Sequence, residues 1–172
     1  MITSDYLRSM ARYNRWQNDS LYEAAAGLSD ADRRLDRGAF FGSIHGTLSH
    51  IYWADRIWLS RFDLCEPPDV PNRESARFVE DFGELRAKRT ELDATLIEWC
   101  DAYEPGPIKG SLEWYSGAIR ANAKAPLTVI LTHLFNHQTH HRGQAHAMLT
   151  AAGARPKDTC LFIMPLDLWP EA

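Results

Sequence analysis

The stretch 126-PLTVILTHLFNHQTHHRGQAHAMLTAA-152 decides how this chain folds. Pro126 suits the first turn of a helix, where its missing N–H would have no partner anyway, and Gly153 supplies a terminator just beyond. With each helical residue turning its side chain by about 100°, Ile130, Leu134, His141 and Met148 lie within about 60° of His137. One face of a long helix therefore carries an apolar stripe interrupted by imidazoles. Such a helix buries that face only against other helices.

The rest of the chain supplies them. A first periodic segment runs from Thr3 to Ala26, capped by Thr3 or Ser4 and ended by Gly27. Tyr6, Met10, Tyr13, Asn14, Gln17, Leu21 and Ala24 fall near one of its faces. The link LSDADRRLDRGAFFG is polar and is expected to be a turn with a short helical start. A second helix is expected from Ser43 to Leu64, stopped by Cys65-Glu66-Pro67-Pro68. After a proline-rich loop, Phe78, Phe82, Leu85, Leu92, Leu96 and Trp99 keep helical spacing, predicting a third helix from Glu74 to Tyr103. Residues 108–122, IKGSLEWYSGAIRAN, are aromatic and β-branched around Ser116-Gly117 and predict a small hairpin. The tail from Ala154 onward, with three prolines, is expected to lie extended over the bundle. The predicted fold class is all-α, a four-helix bundle with a long connection and small β-hairpin between helices 3 and 4.

Composition bounds the function. A chain of 172 residues with 45% apolar content, six Trp, six Tyr and seven Phe fits one globular domain, 1–172. Lys and Arg number 19 against 23 Asp and Glu, a net charge of −4, so despite Arg33, Arg34 and Arg37 nothing draws it toward nucleic acid. The start MITSDYLRSMARYN lacks a signal-peptide pattern, and no apolar run approaches the ~20 residues of a membrane span. Cys65, Cys100 and Cys160 are odd in number, widely spaced and without a CxxC. They fit reduced, buried or half-buried thiols, and a cytoplasmic location is expected.

Four of the seven histidines fall between His137 and His146. His137 and His141 are one turn apart on the apolar face, the spacing that lets two imidazoles converge on one ion. His140 lies at the edge of that face, and His146 on the opposite, solvated side. A third ligand must come from elsewhere. His133 is on the same stripe, but three successive turns span about 11 Å, too far to share one ion. The second helix offers His45 and His50, about 140° apart around its axis, so both cannot face the core. His50 shares its face with Thr47, Ala54 and Ile57, whereas His45 near the helix start is expected to be exposed. A lone histidine on an apolar face is more often a hydrogen-bonded core residue than a ligand. Taken together in a bundle, His50, His137 and His141 form a candidate metal site.

Three segments carry a family resemblance: YNRWQNDSLYEAAAGLSDAD (13–32), GSIHGTLSHIYWADRIWL (42–59) and above all NHQTHHRGQ (136–144). The chain resembles the DinB family of four-helix bundle proteins, unrelated to the DNA polymerase of that name, over essentially its whole length. The resemblance implies a divalent metal, zinc or nickel, held by His50, His137 and His141. It also implies a homodimer and a likeness to thiol-dependent S-transferases and mycothiol-dependent isomerases, with a low-molecular-weight thiol and a small electrophile as substrates.

Three imidazoles leave at least one coordination position open, the arrangement of a catalytic site. An ion there lowers the pKa of a water or thiol and polarises an electrophile. No HExxH, GxSxG or carboxylate beside the histidine pair marks a general base. Asn14, Gln17 and Gln144 are candidates to line the pocket, or more commonly to make interhelical hydrogen bonds. Tyr13, Trp16 and Trp53 are candidate walls, or simply core. Arg142 is expected at the surface or a dimer contact, and Gly143 at a close helix approach. The alternatives are a non-catalytic, stress-associated metal- or ligand-binding bundle, its ion sphere closed by His133 or Asp158, and a metal-dependent hydrolase.

Overall fold

The computed structural model describes residues 2–117 and 119–170. The described residues form five α-helices: α1 (Ser4–Ala26), α2 (Asp30–Arg34), α3 (Ile44–Ser60), α4 (Phe82–Asp101) and α5 (Leu127–Ala151). The four long ones form the bundle, α1 packing on α4 and α5, and α3 on α5 and α4. Strands β1 (Ser111–Ser116) and β2 (Ala121–Pro126) make the expected antiparallel hairpin, with Trp114 opposite Ala123. The hairpin leads straight into α5, and Trp58 of α3 meets Trp114 edge-on at 5.6 Å. No described helix is long and apolar enough to cross a membrane.

Each long helix begins at a side-chain cap where one is available. Thr3, Ser43 and Asp81 accept from the amides of Tyr6, Gly46 and Glu84, satisfying donors that have no intrahelical partner. The buried side of α1 is Leu7, Ala11, Asn14, Asn18, Leu21 and Ala25. Alternating three- and four-residue steps are the spacing of antiparallel bundle packing. That face is rotated from the expected one, sharing only Asn14 and Leu21 with it, although Gln17 is also buried. Hydropathy could not place it, because Asn18 is drawn inward by a buried carboxylate rather than by its own polarity.

The third predicted helix is broken. Asn72–Arg77 forms a 3₁₀ turn, and α4 starts only at Phe82. In the break, the Val79 amide donates to Ser49 Oγ at 3.3 Å, and the Val79 carbonyl lies 2.8 Å from His45 Nε2. Both groups would be consumed by the ladder of a continuous helix. His45, expected to be exposed, is accordingly buried, at 1% exposure. Similarly, α3 stops at Ser60 rather than Leu64, as the chain turns through Asp63 in the left-handed region, φ 58°.

Around Phe135, Leu48, Ile51, Leu85, Leu96 and Leu134 the core is apolar. Between α1, α3, α4 and α5 it is not. Arg89 bonds Asp55 at 2.6 Å and Asp93 at 2.7 Å, all three essentially without solvent contact. Asn14 and Asn18 donate to Asp93, and Gln138 donates to Asp55. A buried guanidinium between two carboxylates is strongly favoured in its charged form, since its neighbours have no water to turn to. This network ties all four long helices together.

The three cysteines are free: Cys100 is buried and Cys65 half-buried, but Cys160, contrary to expectation, is exposed. The tail crosses the α1–α5 seam, pinned where the Lys157 amide donates to Ser20 Oγ at 2.7 Å.

Candidate metal centre

His50 of α3 and His137 and His141 of α5 meet across the α3–α5 interface. One ligating nitrogen from each lies within 4.8 Å of the others, close enough to hold one metal ion. The Nε2 atoms of His50 and His137 are 3.4 Å apart. Metal–nitrogen bonds of about 2.0–2.1 Å at the tetrahedral angle set two donor nitrogens about 3.3–3.4 Å apart, so this edge already fits the group.

The other ring nitrogens are tied back. His50 Nδ1 is 2.8 Å from Ser75 Oγ, and His141 Nδ1 is 2.8 Å from Gln144 Oε1. An amide oxygen can only accept, so His141 carries its proton on Nδ1 and leaves the Nε2 lone pair free. Ser75 can in turn donate to Asn72 Oδ1, at 3.5 Å, while accepting from His50. Second partners of this kind orient ligating imidazoles and raise their basicity. Gln144 thus bonds a candidate ligand rather than another helix. The break before α4 acquires a purpose as well, since it is the 3₁₀ turn that carries Ser75 to His50.

All three imidazoles are held neutral. Burial is the main cause and neighbouring imidazoles the second, pushing His50 down to about 3 and His137 down to about 4. Burial also lowers His141, against the opposing effect of the Gln144 bond. A neutral ring is the form that ligates, so the site is ready for a cation without first releasing protons at neutral pH.

The walls come from a segment that the sequence reading passed over, AFFG at 39–42. Gly38 and Gly42 take positive φ values of 74° and 72°, the region open to glycine, and let the loop fold back on itself. This presents Phe41 stacked on the His50 ring, centroids 3.7 Å apart, and Phe40 beside it with 82% exposure. The loop is seated on α3 by Gly46, where a Cβ would come within 2.5 Å of the Phe41 carbonyl. The resulting pocket, about 300 Å³, is lined by Phe40, Phe41, Asn72, His140 and Gln144 around the three histidines. Among the described residues no Asp or Glu lines it.

Other candidates fall elsewhere. Trp53 stacks on His50 at 6.1 Å but directs its indole N–H to the Val70 carbonyl. Tyr13 and Gln17 bond the tail carbonyls of Thr159 and Asp158, and Asn14 is spent on Asp93. Tyr13 packs with Trp16, on the α1 side of the molecule. His133 packs edge-on against Trp58 and is not in the converging group, and the Asp158 carboxylate accepts from the Cys160 amide. Among the described residues no fourth side chain closes the sphere. Arg142, expected at the surface, is buried at 5% exposure, donating to Asn14 and Thr139. Gly143 marks no close approach, as a Cβ there would meet open space. His146 is on the far side of α5 as expected, but half-buried in the wall of a second cavity.

Protein DinB of Bacillus subtilis (strain 168) is 25% identical over 169 residues, covering 93% of this chain and 95% of that protein. No solved structure matches the chain. The model of the DinB family matches residues 1–164, a span that takes in the caps, the Phe40–Phe41 loop and all three converging histidines, and the chain belongs to the DinB family.

Proposed function

We propose that His50, His137 and His141 hold a divalent ion, zinc or nickel, and that the protein is a thiol-dependent S-transferase acting on a small electrophile. The observation that carries this reading is the convergence of three neutral imidazoles on a pocket with no fourth protein ligand among the described residues. An ion bound there would lower the pKa of a thiol and polarise an electrophile.

The chain's own residues do the rest. Ser75 and Gln144 hold the His50 and His141 rings in register. Phe41 covers one face of His50 and excludes water from it, strengthening every electrostatic interaction beside it. Phe40 and Phe41 offer an apolar surface for the electrophile, and Asn72 and His140 offer polar contacts to a thiol's other groups. The lack of a carboxylate among the described residues of the pocket favours transfer over hydrolysis, because water needs a positioned base more than an acidic thiol does. The homodimer implied by the family likeness and the cytoplasmic setting expected from the cysteines go with this reading.

The test is metal analysis of untagged protein beside His50→Ala and His137→Ala. Stoichiometric metal in the parent and loss in both variants is expected, and equal trace metal in all three would overturn the site. Metal-loaded protein is then screened with bacillithiol, mycothiol and glutathione against monochlorobimane. Metal-dependent conjugation supports the transferase, and its absence with every thiol would leave a metal-binding bundle.

A further inference from the structure

A second cavity, about 320 Å³, lies on the opposite side of α5 from the histidines, between α5, α1 and the tail. Its floor holds the side chain of Arg142, 5% exposed. A guanidinium so buried is almost always paired with an anion. Arg89, another buried guanidinium, is clamped between Asp55 and Asp93. Arg142 has no carboxylate at ion-pair distance among the described residues. Its bonds go to two neutral oxygens, Asn14 Oδ1 and Thr139 Oγ1, which leaves further N–H groups of the five it carries. Asn14 stands between it and Asp93, turning its amide to Asp93 and its carbonyl to Arg142. The carboxylates beneath are thus engaged with Arg89, one residue removed from this cation.

The cavity around Arg142 is built rather than incidental. Tyr13 places its ring 5.6 Å from the guanidinium carbon and ties its hydroxyl to the Thr159 carbonyl at 2.7 Å. Gln17 donates to the Asp158 carbonyl at 2.9 Å, so α1 side chains pin the tail across the cavity as a roof. His146 and Thr139 complete a polar wall. The Asp158 carboxylate lies near the mouth but is turned to the Cys160 amide at 2.9 Å. A cavity of this volume fits a small metabolite, with one fixed cation to orient it.

We infer that this cavity binds a small oxyanion-bearing molecule, its carboxylate or phosphate head on Arg142 and its body between Tyr13, His146 and the tail. A planar fork of donors suits either head group. The site stands apart from the histidine centre and does not require a metal there.

The experiment follows thermal unfolding and calorimetric titration with inorganic phosphate, acetate and succinate, each against chloride at matched ionic strength. Chelator-treated and zinc-supplemented full-length protein are run side by side. A saturable rise in melting temperature with phosphate or with a carboxylate, equal in both preparations, is expected. Arg142→Lys keeps the charge and loses the fork, and affinity should fall about tenfold or more. Because that variant touches the core, Gly143→Leu is the second probe. Its side chain projects into open space at the cavity wall, and leucine favours the helix. It should fold normally and abolish the shift. The inference is overturned if no anion exceeds chloride, if Gly143→Leu responds like the parent, or if the shift appears only with zinc.

Discussion

The Nε2 atoms of His50 and His137 stand 3.4 Å apart across the α3–α5 interface, although 87 residues separate them in the chain. Two unprotonated nitrogens this close repel unless a cation or proton lies between them. Burial keeps a second proton off each ring, so each retains one lone-pair nitrogen to offer a metal ion.

The bonds behind the rings should govern metal affinity. Ser75→Ala removes the partner of His50 Nδ1, and Gln144→Leu removes that of His141 Nδ1. Each should weaken metal binding by about 10- to 100-fold with the fold kept. Competition with a chromophoric chelator, alongside circular dichroism, reads both quantities. Parent-like affinity in both variants would show that the rings need no such support.

Stability of the metal-free protein should depend on pH with a definite sign. In the unfolded chain these histidines titrate near 6.5, while in the folded protein His50 holds out to about 3 and His137 to about 4. Between those values the unfolded state binds more protons, so stability rises with pH. The contribution is fully present above pH 6.5 and is lost progressively as pH falls toward about 4 and then 3. Melting temperatures of chelator-treated protein across this range, compared with the His50→Ala, His137→Ala double variant, isolate it. A parallel pair of curves would refute the claim.

Gly46→Ala should destabilise the protein even though alanine is the better helix former. The added methyl meets the Phe41 carbonyl at 2.5 Å, and backbone cannot yield as a flexible side chain can. A net loss of about 1–3 kcal/mol is expected from such overpacking, after a propensity gain of up to about 1 kcal/mol. Urea unfolding measures the loss. Displacement of Phe41 should also uncover the His50 ring and raise its titration midpoint by proton NMR.

Asp93→Ala strikes the polar core. It leaves Arg89 with Asp55 alone and removes the acceptor of Asn14 and Asn18. Stranding buried polar groups in this way costs about 3–5 kcal/mol. An equilibrium denaturation curve within about 1 kcal/mol of the parent would mean that water replaces the carboxylate.

The chain by itself determined the presence of the four long helices, the Thr3 cap and the pairing of His137 with His141. Those follow from local rules: a 3.6-residue period, a side-chain oxygen before a free amide, a terminator such as Gly153. The hairpin was legible in its first, aromatic strand, but its second strand, ANAKAP at Ala121–Pro126, lies mostly beyond the expected 108–122 and carries no aromatic or β-branched residue. His50 is selected over His45 on the ground that residues about 140° apart on one helix cannot both face the core, yet both are buried. His45 was misplaced, since its burial depends on Val79, 34 residues away.

Only the tertiary structure decided which polar groups go inside. Asn18, Arg89 and Arg142 resemble surface residues in hydropathy and become core when a partner from another helix removes the cost of desolvation. The break before α4 carries only a weak local mark, Asp81 accepting from the Glu84 amide with Gly83 between them. It is set by Ser49 and His45 taking the backbone groups of Val79, and by Ser75 reaching His50. Helix periodicity is a property of neighbours along the chain, whereas the donors, acceptors and charges that complete this site meet only across it.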